Sequence, residues 1–130
     1  MTFKTLLIAK AVVCLVFGPI LVFAPGWLFG LLGTTLGSGG TFTAREYGAA
    51  VFGSLMLTWL ARNATEPGAR RAILVDLFVY DGIGFLVTLL AIGSGLLNPL
   101  GWGIVIVYLF FTLGSAYLLL PSQAMTPSAA

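Results

Sequence analysis

The sequence predicts an all-α integral membrane protein: an antiparallel four-transmembrane-helix bundle that forms a single domain over residues 1–130. Hydrophobic residues make up 59% of the chain and charged residues only 8%, whereas soluble domains carry about 25% charged residues. A soluble chain this short has too little interior to hide so much apolar surface from water. Its apolar runs are long and lack the alternation of barrel strands. They therefore indicate helices, which satisfy their own backbone hydrogen bonds in lipid.

Four runs approach the roughly 20 apolar residues that a membrane-spanning helix needs. The predicted spans cover residues 3–24, 44–61, 72–93 and 102–120. Prolines mark their ends: Pro25 after the first span, Pro67 before the third, Pro99 before the fourth and Pro121 after it. Small residues one turn apart, such as Ala49 and Gly53, let helices approach closely in lipid. They predict that the second span lies inside the bundle, and the alternative is a face for self-association or for a partner protein.

The distribution of Lys and Arg predicts that the N-terminus, the 62–71 loop and the C-terminus are cytoplasmic. Lys4 and Lys10 lie near the start of the first span, and Arg62, Arg70 and Arg71 flank the loop between the second and third. Trp27 and Trp102 then fall at the opposite interface. We expect a multi-pass protein of a bacterial cytoplasmic (inner) membrane, since the Ala, Gly and Arg usage and the scarcity of Lys favour a GC-rich bacterium.

The loop after the first span, residues 26–43, alternates large apolar residues with glycine and then becomes rich in Gly, Ser and Thr. Its first half is too short to span and predicts an interfacial helix from about Trp27 to Leu32. Its second half, Thr34 to Gly40, is predicted to be flexible by composition. Two interpretations stay open, a connecting loop that follows the membrane surface or a lid over an outer pocket.

Three ionisable residues form a predicted intramembrane charge cluster. At about 1.5 Å per residue, Asp76 and Asp81 lie roughly 6 and 13 Å into the third span, and Lys10 lies roughly 10 Å into the first. Charge inside a membrane is costly, so each group needs a partner. Lys10 is therefore expected to pair with Asp76 or with Asp81. The alternative for Lys10 and Asp76 is that their side chains extend to the membrane interface. The pair either fixes the register of two helices or serves as a proton or cation site.

Polar side chains near the outer ends of the spans predict a small pocket that opens outward. Arg45 is the only basic residue on its side, and Glu46 suits the first turn of a helix. Tyr108, Thr112 and Ser115 share a helix face through their spacing. The predicted pocket lining is Arg45, Glu46, Tyr47, Thr88, Tyr108 and Thr112. Ordinary hydrogen bonding between helices is the alternative role for its hydroxyl groups. Arg45 has three alternative partners: Glu46, a lipid headgroup or ligand, and another protein.

The residue inventory excludes most catalytic chemistry. The chain has no histidine and one cysteine, Cys14, which excludes disulfide scaffolds, zinc sites, histidine-dependent hydrolysis and histidine ligation of haem. Phosphate-binding and nucleophile motifs are absent from the sequence, and its basic residues are too few for nucleic-acid binding. The sequence thus predicts no metal, no cofactor and no nucleic-acid partner, and it favours a non-enzymatic role.

Two segments, TAREYGAAVFGSLML (residues 43–57) and ARNATEPGARRAIL (residues 61–74), resemble the small bacterial four-helix membrane proteins of the DoxX-like group. The resemblance covers the second and third spans and their linker, about half of the chain. Some members of that group are linked to quinone-coupled thiol or sulfur oxidation, so the resemblance implies such a role, with Arg45 the most suggestive position. The single Cys14 opposes dithiol chemistry within this chain.

Three hypotheses about function follow. The first is a non-enzymatic accessory or structural subunit of a larger membrane complex, whose partners are the lipid bilayer and other membrane subunits or a second copy. The second is a small oligomeric transporter or channel that uses Lys10, Asp76 and Asp81. The third is a quinone- or lipid-binding membrane subunit that uses the pocket around Arg45.

Overall fold

A computed structural model describes residues 1–120, which contain five α-helices and no β-strand. The helices are α1 (Phe3–Phe23), α2 (Pro25–Leu31), α3 (Ser38–Ala61), α4 (Pro67–Gly93) and α5 (Gly101–Leu119). Helices α1, α4 and α5 are long and apolar enough to cross a membrane. This confirms the all-α class and identifies a helical membrane protein. The prediction for the C-terminus falls on residues 121–130, outside the described residues.

The starts of α1 and α4 follow ordinary capping chemistry. Thr2 precedes α1, and its hydroxyl accepts a hydrogen bond from the Thr5 N–H at 3.2 Å. Pro67 occupies the first position of α4, where its missing N–H has no helical partner to lose. Helix α4 therefore begins at this proline, five residues before the predicted span at Ala72. Helix α2 also begins on a proline, Pro25, rather than at Trp27 as predicted.

Helix α3 begins at Ser38, six residues before the predicted span, so the prediction of a flexible segment up to Gly40 is wrong for its last three residues. The Thr41 N–H donates to the Gly37 carbonyl at 2.9 Å, which closes the first turn. Glycine has a low intrinsic helix propensity, but tertiary context overrides such preferences. As a result Glu46 lies in the third turn rather than in the first, where the sequence placed it.

The long helices associate as two antiparallel pairs, α1 with α3 and α4 with α5. In the first pair Gly18 faces Phe52 and Gly48 faces Val22. In the second pair Gly84 lies against the ring of Tyr108. Glycines at such contacts let two backbones approach closely.

Two apolar clusters form the interior. One joins the start of α1 to α4 and α5 and consists of Phe3, Leu6, Leu7, Leu74, Leu77 and Phe111. The other lies between α1 and α3 around Cys14, Leu21 and Val51. At the opposite end of the helices, Asn98 donates its side-chain amide to the Leu31 carbonyl at 2.8 Å. That bond ties the end of α2 to the connection between α4 and α5.

Helix α3 presents one face to α1 and leaves the other open. Ala44 and Gly48 are buried, whereas Ala49, Ala50 and Gly53 are exposed. The prediction that the second span lies inside the bundle is therefore wrong. The physical reason is that α4 and α5 pack mainly on each other, so nothing within residues 1–120 covers the second face of α3.

Glu66 is predicted to make the start of α4 sensitive to acid. Its carboxylate accepts hydrogen bonds from the N–H groups of Gly68 (2.9 Å) and Ala69 (2.6 Å), and these bonds lower its pKa below the ordinary value. The cap therefore stabilises the folded state fully above the unfolded-chain pKa of about 4.3. This contribution disappears as the pH falls through the lowered folded-state pKa.

Hydrogen exchange of the Gly68 and Ala69 amides as a function of pH checks this prediction. We expect their protection to fall below pH 4 in the wild type. In the Glu66→Ala variant, protection should be low throughout and independent of pH. Equal pH profiles for the two proteins would contradict the capping role.

Candidate functional site

The centre of the site is an ion pair between α1 and α4. Lys10 Nζ lies 2.6 Å from Asp81 Oδ1, and the two residues are 4% and 0% exposed. At about 1.5 Å per residue, Asp81 lies roughly 21 Å from the start of α4 and roughly 18 Å from its end. The sequence left open whether Lys10 pairs with Asp76 or with Asp81. The structure pairs it with Asp81, near the middle of α4.

Aromatic rings surround the Lys10 ammonium group. Its Nζ lies 4.8 Å from the centroid of the Tyr80 ring and 4.7 Å from that of Phe111. Both distances are within the range of cation–π attraction, which strengthens when the cation is removed from water. The lysine thus has one anionic partner and two ring partners, on α4 and α5.

The second carboxylate oxygen of Asp81 differs from the first, because no donor within residues 1–120 reaches it. Oδ2 is fully buried and has no hydrogen-bond partner among residues 1–120. Buried polar atoms are nearly always paired, because an unmade hydrogen bond to a desolvated group costs about 1–3 kcal/mol. Oδ2 is therefore the point in the interior where an additional hydrogen-bond donor would be most favourable.

Asp76 does not join this pair. It is exposed, while Asp81 is completely buried. Five residues at about 100° each place the two carboxylates roughly 140° apart around α4. The structure therefore brings together two of the three residues of the predicted charge cluster.

Three tyrosines, one each from α3, α4 and α5, form a hydrogen-bonded cluster beside the ion pair. The Tyr47 hydroxyl bonds to the Tyr108 hydroxyl at 2.9 Å and also to the Tyr80 hydroxyl. The rings of Tyr47 and Tyr80 stack with their centroids 6.4 Å apart. This tyrosine cluster (Tyr47, Tyr80, Tyr108) and the Lys10–Asp81 pair each link the α1/α3 pair to the α4/α5 pair.

Sequence reasoning missed Tyr80 and Phe111. A signal for Tyr80 was present, because it directly precedes Asp81 and carries a polar group that needs a partner inside a membrane. No comparable signal marked Phe111, because it is one of ten phenylalanines in the chain.

The residues of the predicted outer pocket have separate surroundings. Tyr47 and Tyr108 meet in the tyrosine cluster, whereas Arg45 and Glu46 are exposed on α3. The remaining hydroxyls donate to carbonyls four residues earlier in their own helices: Thr88 to Gly84 (2.7 Å), Thr112 to Tyr108 (2.7 Å) and Ser115 to Phe111 (2.6 Å). Such bonds satisfy a hydroxyl within one helix.

Removing the Tyr47 hydroxyl is predicted to weaken the contact between the two helix pairs. Tyr47→Phe deletes two hydrogen bonds, and each is worth about 0.6 kcal/mol on average in membrane proteins. We expect a loss of about 1 kcal/mol in unfolding free energy. Tyr108→Phe serves as the comparison, because the Tyr108 hydroxyl shares one hydrogen bond with Tyr47 whereas the Tyr47 hydroxyl bonds to both other tyrosines, and it should cost less. Equal losses in SDS-induced unfolding would contradict the central position of Tyr47.

The groups at this site can form hydrogen bonds and can hold or transfer a proton. Within residues 1–120 no group of three Cys, Asp or Glu side chains lies close enough to hold a metal ion. Cys14, one turn after Lys10 on α1, is buried and forms no disulfide.

No protein-family model, no curated protein and no solved structure matches this chain.

Proposed function

We propose that the chain is a non-enzymatic subunit of a larger membrane complex and that it crosses a bacterial cytoplasmic membrane four times with both termini on the cytoplasmic side. The main observation in support of this proposal is the exposed face of α3, on the side of the helix that does not pack on α1. This face includes Arg45, Glu46, Ala49, Ala50 and Gly53, all exposed. It is defined here as the α3 face.

The α3 face is poorly suited to lipid. Charged residues inside a membrane normally face protein or a polar cavity, and Arg45 and Glu46 form no ion pair with any other residue in 1–120. Beyond them, a Cβ atom at Gly53 would contact no atom of residues 1–120 within 4 Å other than the neighbouring backbone of α3 itself. Small residues at the surface of a membrane helix permit close contact with another helix. A partner protein that covers this face would satisfy both features.

The length and direction of α3 support a fourth span. Its 24 residues correspond to about 36 Å of helix, more than the roughly 30 Å hydrocarbon core. It runs antiparallel to α1, which is apolar enough to cross the membrane. By hydropathy alone α3 does not qualify as a span. We therefore expect its position in the membrane to depend on contacts with other protein segments.

Photocrosslinking in the native membrane tests the proposal. A photoreactive residue at Ala50 reports contacts of the α3 face, and one at Leu86 is the matched control because that side chain is 59% exposed on α4. We expect one discrete protein adduct from position 50 and lipid adducts from position 86. Native mass spectrometry after gentle extraction should show the same partner in fixed stoichiometry. A chain that runs alone and crosslinks only to lipid at both positions would overturn the proposal.

A second candidate function is transport of protons or small cations through the Lys10–Asp81 site. The specific observation that favours it is the buried and unpartnered Oδ2 of Asp81, because ionisable groups in membrane interiors often mark ion or proton pathways. Purified protein in liposomes with an imposed pH gradient tests it. Asp81→Asn should abolish proton flux, and Asp76→Asn should retain it. No flux in the wild type would exclude this candidate.

A further inference from the structure

One end of the molecule carries a concentration of positive charge. This end lies where α1 and α4 begin and where α3 ends, and we call it the basic end. Its cations are Lys4, Arg62, Arg70 and Arg71. The apolar cluster that contains Phe3 holds these elements together, with Ala61 and Ala64 packed against it. The guanidinium carbon of Arg70 lies 4.5 Å from the centroid of the Phe3 ring.

Glu66, the carboxylate at this end, is engaged by the backbone. Both oxygens of Glu66 accept backbone N–H groups at the start of α4. No ion pair within residues 1–120 joins Lys4, Arg62 or Arg71 to a carboxylate. Lys4 and Arg71 are exposed. The basic end therefore has a net positive charge and accessible donors.

Exposed apolar side chains lie next to these cations along the helices. Val75 and Phe78 follow Arg71 by four and seven residues, so they share its face of α4, and each is 42% exposed. Arg62 lies over the Trp59 ring, with its guanidinium carbon 3.8 Å from the ring centroid. Trp59 and Leu60 are 46% and 71% exposed. Cations beside apolar surface match a molecule that has an anionic headgroup and hydrocarbon chains.

We propose that the basic end binds the phosphate groups of anionic phospholipids. Lys and Arg near a membrane surface attract anionic lipids, and arginine donates paired hydrogen bonds to phosphate oxygens. A lipid rather than free phosphate is the occupant, because only a lipid also covers the apolar faces below Arg71 and Arg62. This inference is independent of the identity of any protein partner.

Lipid retention by the full-length protein tests the proposal. The protein is reconstituted in nanodiscs of phosphatidylcholine with increasing phosphatidylglycerol, and bound phosphatidylglycerol is counted by native mass spectrometry. We expect the double variant Lys4→Gln/Arg71→Gln to bind phosphatidylglycerol roughly thirtyfold more weakly, since each cation contributes about one factor of five. The charge-retaining variant Lys4→Arg/Arg71→Lys is the matched control, and it should bind within a few fold of the wild type.

Two outcomes would overturn the inference. The first is equal retention by the wild type and the Gln double variant, with both folded as judged by circular dichroism. The second is displacement of phosphatidylglycerol by excess inorganic phosphate at constant ionic strength, which would mean that the site recognises phosphate without lipid. Retention that resists phosphate but falls in the Gln double variant supports the lipid site.

Discussion

Replacing either member of the Lys10–Asp81 pair alone is expected to destabilise the protein by about 3–5 kcal/mol. Both side chains are buried, at 4% and 0% exposure. Lys10→Met leaves the Asp81 carboxylate desolvated without a counter-charge, and Asp81→Leu does the same to the ammonium group. The cost of each single variant is therefore mainly the cost of an uncompensated buried charge.

The double variant Lys10→Met/Asp81→Leu distinguishes this explanation from a simple loss of packing. It removes both charges together, and replacing a buried ion pair with apolar side chains is often neutral or stabilising. We expect its unfolding free energy in mixed micelles with SDS to lie above that of either single variant. Asp76→Leu is the control on the same helix, because Asp76 is exposed, and it should change stability little. Additive losses in the double variant would refute an ion-pair mechanism.

Gly48→Ala is expected to separate α1 from α3 and to cost about 1–3 kcal/mol, the usual range for overpacking a tight contact. A methyl group at this position would lie 2.8 Å from Val22 Cγ2 and 2.9 Å from the Val22 backbone nitrogen. Because one of these atoms belongs to the backbone, a side-chain rotation alone cannot relieve the contact. The helices must move apart or tilt.

Gly53→Ala provides the matched control on the same helix. A Cβ atom at position 53 would contact no atom of residues 1–120 within 4 Å other than the neighbouring backbone of α3. Alanine should therefore be neutral or stabilise α3 by up to about 1 kcal/mol through its higher helix propensity. Unfolding in mixed micelles, followed by tryptophan fluorescence, measures both variants. A loss of stability in Gly53→Ala that appears only in native membranes would indicate that a partner contacts the α3 face, which is the contact proposed above.

Much of the site could be anticipated from residue types, because an ionisable group in an apolar span is rare and costly. Lys10 and Asp81 were recognised on that basis. The α3 face was anticipated only as the alternative role of the small residues, since Ala49, Ala50 and Gly53 have the same composition as the buried Ala44 and Gly48. Small residues indicate that a helix can be approached closely, but they do not indicate which of its faces is occupied.

The sequence by itself determined the helical class and the membrane character, because hydropathy, run length and proline positions act locally along the chain. Only the tertiary structure decided which carboxylate meets Lys10. Asp76 and Asp81 lie at predicted depths on either side of Lys10, but they project about 140° apart around α4, so the rotation of α4 against α1 makes the choice. The same rotation brings Tyr80 to Tyr47 and Tyr108. Arg45 stays on the surface because α3 packs on α1 through its other face. Helix rotation depends on packing between segments far apart in the chain, and no local pattern records it.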